Sequence, residues 1–374
     1  METLDSIYEK CRSGQRLSVE EGLRLYLEAP LIELGDLAHQ ARLRKVPDNA
    51  VSWVADTNLN YTNVCDAYCT FCAFYRTKNA KDAYTYTVPE MISKIKASVS
   101  NLGVTTVLIQ GGLNPDLPFS YYTDFVSAIR REVPEVHPHL FSAPEIWKMV
   151  EVSGKDIRWV LTELHKAGLD TLPGGGAEIL TDRVRLKLSK TKVNTENWLK
   201  VHETAHELGY RSTATMMFGH LDEPADILAS LDAIRQVQDK RHGFTAFIPW
   251  SFKPDNTPLG KKMGGMAGVP GPAIYLRILA LSRLFLDNFD HIQASWFSEG
   301  KKTGQMGLYF GADDFGGTIF EENVLFSANH ECKTTYEEIT QIIREAGFRP
   351  AQRDTKYNII KYWDEPAKET AAVG

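Results

Sequence analysis

Residues 58–76 read NLNYTNVCDAYCTFCAFYR. The first seven form a short run able to make a strand, and directly after it three cysteines crowd into eight residues. Downstream the same grammar repeats. Short β-branched or apolar runs end in Gly, Pro or polar residues and alternate with longer amphipathic segments, which is the signature of βα units. Strands are expected at 58–64, 105–110, 137–141, 170–172, 212–218, 244–249, 292–296 and 308–310, and helices at 89–102, 120–132, 155–167, 194–208, 224–239 and 272–288. Eight strand positions suit an α/β fold of the TIM-like (β/α) barrel type, although a partial barrel of six strands would produce nearly the same text. Residues 1–50 carry helical periodicity, with Ser18 and Glu21 spaced as a capping box, and are expected to be an N-terminal helical extension. The barrel is expected over 51–330 and a C-terminal extension over 331–374. Residues 261–272, KKMGGMAGVPGP, resist regular structure and suit a surface loop, and the tail after Trp363 is small and charged enough to fray.

A chain of 374 residues with 43% hydrophobic side chains can bury a large core. The 42 basic and 48 acidic residues leave a net charge of −6, without a long basic run, so a nucleic-acid binder is not expected. No apolar stretch approaches the roughly 18 residues of a membrane span, and the polar N-terminus carries no leader pattern. A cytoplasmic protein acting on a small molecule is the expectation. Five cysteines, an odd number with three crowded into eight residues, do not look like a disulfide framework.

The cysteines Cys65, Cys69 and Cys72 fall on the first βα loop, at the barrel face where active sites are built. Three thiolates there can hold three corners of an iron–sulfur cube and leave the fourth iron open to a small molecule. A closed zinc site would need a fourth ligand, and this segment has no nearby Cys or His to supply one. Cys11 and Cys332, far away, read as structural.

Other strand ends carry candidate groups. Gln110-Gly111-Gly112 ends the second strand, where glycines permit close backbone approach and free amides can bond a ligand. Ser142 ends the third and is either a ligand contact or a helix cap before Pro144. The run 173–178, PGGGAE, brings Glu178 beyond three glycines, with Arg183 following. His220 sits at a strand end as a candidate base, with His137, His139 and His242 as alternatives. Tyr61 faces either the cavity or the core.

The CxxxCxxC spacing, with aromatic Phe71 before the last cysteine, resembles the signature of the radical S-adenosylmethionine (SAM) superfamily. That resemblance implies a 4Fe–4S cluster on Cys65, Cys69 and Cys72, whose open iron chelates SAM, and a 5′-deoxyadenosyl radical formed on one-electron reduction. Phe71 and the Gln110-Gly111-Gly112 turn match the family's motifs at the cofactor site, and the strand-end residues Ser142, Glu178 and Arg183 are expected to join them, Glu178 on the ribose or ammonium and Arg183 on the carboxylate unless the two form a surface pair. Leu113 stands where the family's glycine motif has an acid. The strings LPGGGAEILTDRVR, TAHELGYRSTATMMFGHLDEP, GFTAFIPWSFKPDNT and GADDFGGTIFEENV resemble the menaquinone-by-futalosine branch and its deazaflavin-forming relatives. Resemblance is strongest to the members that cyclise dehypoxanthine futalosine. This implies hydrogen abstraction from ribose C4′, closure onto a benzoate ring, loss of one electron and one proton, a base such as His220, and an electron donor such as flavodoxin or ferredoxin. Arg76, Lys253 and Arg277 are conceivable partners for the substrate carboxylate. The rivals are joining of adenosine to an enolpyruvyl acceptor, deazaflavin formation and, from another class, a non-catalytic iron–sulfur or metal-binding protein.

Overall fold

The computed structural model describes residues 3–265 and 269–364. The run AVSWVADTNL makes β1 (Ala50–Val54) and β2 (Asp56–Leu59), one nearly continuous strand broken only at Ala55. β3 (Thr106–Ile109) and β4 (His137–Leu140) follow on one side, all parallel, with Asp56 opposite Thr106 and Thr106 opposite His137. β5 (Thr171–Leu172), β6 (Arg211–Phe218), β7 (Phe244–Ser251) and β8 (His291–Ile292) form a second parallel set. β9 (Asp314–Gly317) closes the ring, bridging to Gln293 beyond β8 and lying parallel to β1. With β1 and β2 counted together, eight strand positions surround one axis, and helices cover the outside. The β4–β5 seam is held by side chains: the Thr171 hydroxyl lies 3.0 Å from both His137 Nε2 and His139 Nδ1 and donates to the Pro138 carbonyl at 3.2 Å.

The expected strand at 308–310 is instead the turn after the helix Lys301–Gly307. The eighth strand is DFGG of β9, whose glycines have low strand propensity and which only hydrogen bonding to both neighbours places. The expected 292–296 strand is shorter, because Trp296 begins the helix Trp296–Glu299. The helix Ala143–Ser153, not anticipated, is announced by Ser142 and Glu145 as a capping box. In 261–272 the first residues belong to the helix Pro258–Met263, while 266–268 lie outside the described residues, as does the expected frayed tail from 365 onward.

Three helices, Leu4–Ser13, Val19–Glu28 and Leu31–Lys45, precede the barrel, and the Ser18–Glu21 capping box forms. The third packs on Pro272–Phe285, and its buried Arg42 donates to the carbonyls of Ala50 (2.7 Å) and Ala312 (3.0 Å). At the other end of the chain, β10 (Arg349–Arg353) lies parallel on β1, and β11 (Ile359–Tyr362) returns antiparallel. Their connection brings Thr355 against Thr106, hydroxyls 2.8 Å apart, at the N-terminal mouth of the barrel. Among the described residues no helix is long and apolar enough to cross a membrane.

Arg353 fixes this floor. Its Nε and Nη2 donate to both oxygens of Asp314 (2.5 and 3.1 Å), and Ser52 Oγ donates to the same carboxylate at 2.6 Å. One buried pair thus ties β1, β9 and β10. Removing one partner of such a pair leaves an uncompensated charge, so Arg353→Met should destabilise the protein by roughly 3–5 kcal/mol in urea denaturation.

Candidate active site

A cavity of about 330 Å³ runs along the barrel from the cysteine loop to the C-terminal hairpin. Alternation along the strands decides its lining. β2 turns Asp56, Asn58 and then Asn60 inward, β3 turns Thr106, Leu108 and then Gln110, and β6 turns Thr213 and Thr215. Ile248, Trp250 and Phe297 supply an apolar side.

Cys65, Cys69 and Cys72 all line this cavity. Their loop is pinned from outside: Cys65 N–H donates to Arg76 O (3.0 Å), Asp66 N–H to Leu113 O (3.1 Å) and Thr70 N–H to Leu188 O (2.8 Å), while Ser189 Oγ donates to Ala67 O (2.6 Å). Burial pushes all three thiols up, Cys69 to about 12, so as free thiols they stay protonated. Among the described residues no three His, Cys, Asp or Glu side chains could hold a single metal ion. A cubane sets no such demand, because each thiolate takes a different iron. Three thiol donors on one pinned loop, facing one cavity, fit a 4Fe–4S cluster.

Beside the cysteines, Lys192 donates to Glu178 at 2.8 Å and lies 5.3 Å over the Phe71 ring. Glu178 has φ +44°, a left-handed conformation costly for a residue with a side chain, which the surrounding contacts hold in place. Arg185, also buried, lies 3.5 Å from the same carboxylate. Arg183 does not join them. It pairs with Asp226 and Glu223 and does not line the cavity, so its expected role beside Glu178 is corrected: helical spacing turns Arg185 inward and Arg183 out.

Gln110, Gly111, Gly112 and Ser142 line the cavity, but the glycine amides are not free. Gly111 N–H donates to Glu145 (3.0 Å) and Gly112 N–H to Thr62 O (2.8 Å). A Cβ on Gly112 would stand 2.1 Å from Val64 O, so this glycine serves the packing of the cysteine loop. Ser142 is a helix cap as well as a wall residue, its N–H and hydroxyl both bonding Glu145 at 2.7 and 2.6 Å.

Glu145 was not anticipated as a site residue, although its spacing from Ser142 was legible. Its carboxylate also accepts Tyr61 OH at 2.9 Å, joining three successive strand ends. Burial pushes it up to about 7 against these donors. Tyr61 itself is fully buried.

His220 is overturned as a rim base. Leu221 N–H donates to its Nδ1 at 2.7 Å, so Nε2 carries the proton and donates to Met217 O at 2.9 Å. Burial lowers its pKa, and the ring does not line the cavity. A strand-end position revealed nothing of this local wrapping. His139 lines the cavity but is pushed down to about 3 by burial and is neutral. His137 pairs with Asp170, and His242 caps a helix with φ +48°. Arg277 binds the carbonyls of Tyr26 and Ala29, Lys253 donates to Ser251 Oγ, and Arg76 pairs with Asp82 in a second crevice.

Residues 59–234 match the Radical SAM superfamily, and residues 241–366 match the CofH/MqnC C-terminal region. The chain belongs to the radical SAM superfamily and is an enzyme of the class that uses a 4Fe–4S cluster and SAM. More particularly, it is 41% identical over 369 residues to the cyclic dehypoxanthine futalosine synthase of Halalkalibacterium halodurans, covering 99% of this chain and 98% of that one. A 5-amino-6-(D-ribitylamino)uracil–L-tyrosine 4-hydroxyphenyl transferase of Methanopyrus kandleri is 41% identical over 87% of this chain and 88% of its own. In fold, the crystal structure of methylornithine synthase matches with TM-score 0.68 at 18% identity, over 92% of this chain and 97% of that one.

Asp56, on the wall near the floor, offers a test by pH. Burial pushes its carboxyl up to about 7 against the Ile319 N–H (2.8 Å) and Arg353. Between about pH 4 and 7 the folded chain keeps a proton that the unfolded chain has released, so this group costs stability as pH rises through that window. Asp56→Asn retains an acceptor for Ile319. Its stability should therefore climb relative to the parent between pH 4 and 8, by an amount on the order of 1–4 kcal/mol from thermal denaturation at each pH.

Proposed function

We propose that this enzyme cyclises dehypoxanthine futalosine, removing hydrogen from ribose C4′, joining that carbon to the benzoate ring, and releasing one electron and one proton. The observation carrying this reading is the 41% identity, end to end, with a relative named for that reaction. When bound, the cluster and SAM supply the 5′-deoxyadenosyl radical. Cys65, Cys69 and Cys72 would hold the cluster. Phe71, Gln110, Gly111, Gly112, Ser142 and Glu178 would line the SAM site, with Lys192 and Arg185 balancing Glu178.

The residues of the chain then have three tasks. Ring closure needs alignment, which the narrow cavity supplies by limiting the substrate to few orientations. It needs water kept away from reactive carbon, which Ile248, Trp250, Phe297 and Leu325 do as apolar wall. It needs a proton acceptor, and Glu145 and Glu322, both pushed upward by burial, are carboxylates on that wall. An external one-electron donor of the flavodoxin or ferredoxin kind would serve the cluster. The division into an extension over 1–50, a barrel over 51–330 and an extension over 331–374 is part of the same reading, as is a cytoplasmic location.

Reconstituted enzyme, incubated anaerobically with reductant, SAM and dehypoxanthine futalosine, should yield 5′-deoxyadenosine and a product lighter than the substrate by two hydrogens, read by mass. Adenosine joined to an enolpyruvyl acceptor, or a deazaflavin precursor formed from tyrosine, would replace this reading with a sister activity. Cys69→Ala should lose the cluster's visible absorbance and all SAM cleavage.

A further inference from the structure

The three cysteines face the cavity, but their loop also reaches the protein surface, and no task of the cavity accounts for what gathers there. Tyr68, the one exposed residue of 65–72, is 53% exposed, does not line the cavity and is one peptide bond from Cys69. Its φ of +50° is costly for a residue with a side chain, and its neighbours hold it. Ser189 Oγ and Thr191 Oγ1 donate to Ala67 O at 2.6 and 2.8 Å, and Thr70 N–H donates to Leu188 O at 2.8 Å. On the other flank, Leu259 N–H donates to Thr70 O at 2.8 Å. Two segments are thereby bonded to the loop: the end of the helix Asp182–Leu188 with the turn after it, and the helix Pro258–Met263.

Each brings exposed lysines to the loop's edge. Lys187 and Lys190 flank Leu188 and Ser189, and Lys261 and Lys262 follow Leu259. None of the four makes an ion pair or a side-chain hydrogen bond among the described residues. Of the acids in 65–72, 182–192 and 255–263, Asp66 is paired with Lys148 at 2.9 Å, and Asp182 and Asp255 stand against the four lysines. In a chain of net charge −6 this is a local excess of positive charge. Leu186, 57% exposed, adds apolar area beside it. An aromatic and an aliphatic side chain with charged groups around them have the anatomy of a protein contact.

We infer that this face is the docking surface for an acidic one-electron carrier protein, with Tyr68 and Leu186 at its centre and Lys187, Lys190, Lys261 and Lys262 at its rim. Charge and place select that occupant. The proposed cluster must receive an electron from outside, and a carrier seated on Tyr68 is one residue from a cluster ligand. The carrier is oxidised by one electron and the cluster reduced by one, and no bond forms or breaks between the two proteins. Unpaired lysines suit a brief encounter: they steer an acidic surface into place and add little to the lifetime of the contact, so the spent carrier leaves.

This inference rests on the proposed cluster and external donor, and flavodoxin is the probe. Its binding to the reconstituted enzyme, measured by calorimetry, should weaken as salt is raised, and Lys187→Glu with Lys190→Glu should weaken it roughly tenfold. Adding Lys262→Glu should deepen the loss. Lys361→Glu, on the hairpin at the far mouth of the barrel, should leave binding unchanged, and SAM affinity should be unchanged in all variants. Flavodoxin hydroquinone should bleach the cluster's visible absorbance more slowly in the lysine variants by a similar factor, whereas excess dithionite should reach the same end point in every form. Equal flavodoxin binding in parent and variants, or the same loss from Lys361→Glu, would overturn the surface, and the donor reading would stand if flavodoxin still reduced the cluster. A parent enzyme reduced by dithionite but by neither flavodoxin nor ferredoxin would overturn both. Variants that lose binding to anionic phospholipid vesicles and keep binding to flavodoxin would give the lysines to a lipid headgroup and overturn the surface as well.

Discussion

A barrel that opens its axis to a ligand must line that axis with polar groups and still satisfy each of them away from bulk water, and this constraint organises the molecule. Asp56, Asn58, Thr106, Thr213 and Gln293 occupy inward positions that a filled barrel would give to branched hydrocarbon. The Asp314–Arg353 pair makes the arrangement tenable from below. It joins three strands and buries a matched charge.

The opposite end depends on a different kind of support. The cysteine loop has no regular structure of its own, and its shape comes from backbone bonds to Arg76, Leu113 and Leu188, each from a separate stretch of chain. Gly112 packs under it and Glu145 ties the next strand ends together. The wall beside the cysteines is therefore held from behind, with Lys192 and Glu178 balancing charge beside the thiols.

Cys65, Cys69 and Cys72, the proposed cluster ligands, needed no structure to be singled out, because three cysteines within eight residues are written in spacing alone. The strands β3, β4, β6 and β7 were legible for a similar reason: their periodicity is local. Residues such as β9 and the floor hairpin were not. DFGG has little strand propensity, and Tyr357 is one tyrosine among fifteen until β10 pairs with β1 and carries it under the barrel. Arg183 and Arg185 look equivalent on paper, and helical rotation separates them.

By itself the sequence determined the class of chemistry, the order of βα units and the loop that bears the thiols, since each is encoded by residues near one another. Only tertiary structure decided which polar groups meet, that His220 is locked into its own backbone, that Glu145 gathers three strand ends, and that the C-terminal hairpin supplies the floor. Those are relations between segments up to some three hundred residues apart, as Ala50 and Arg349 are. Their geometry exists only once the barrel has closed.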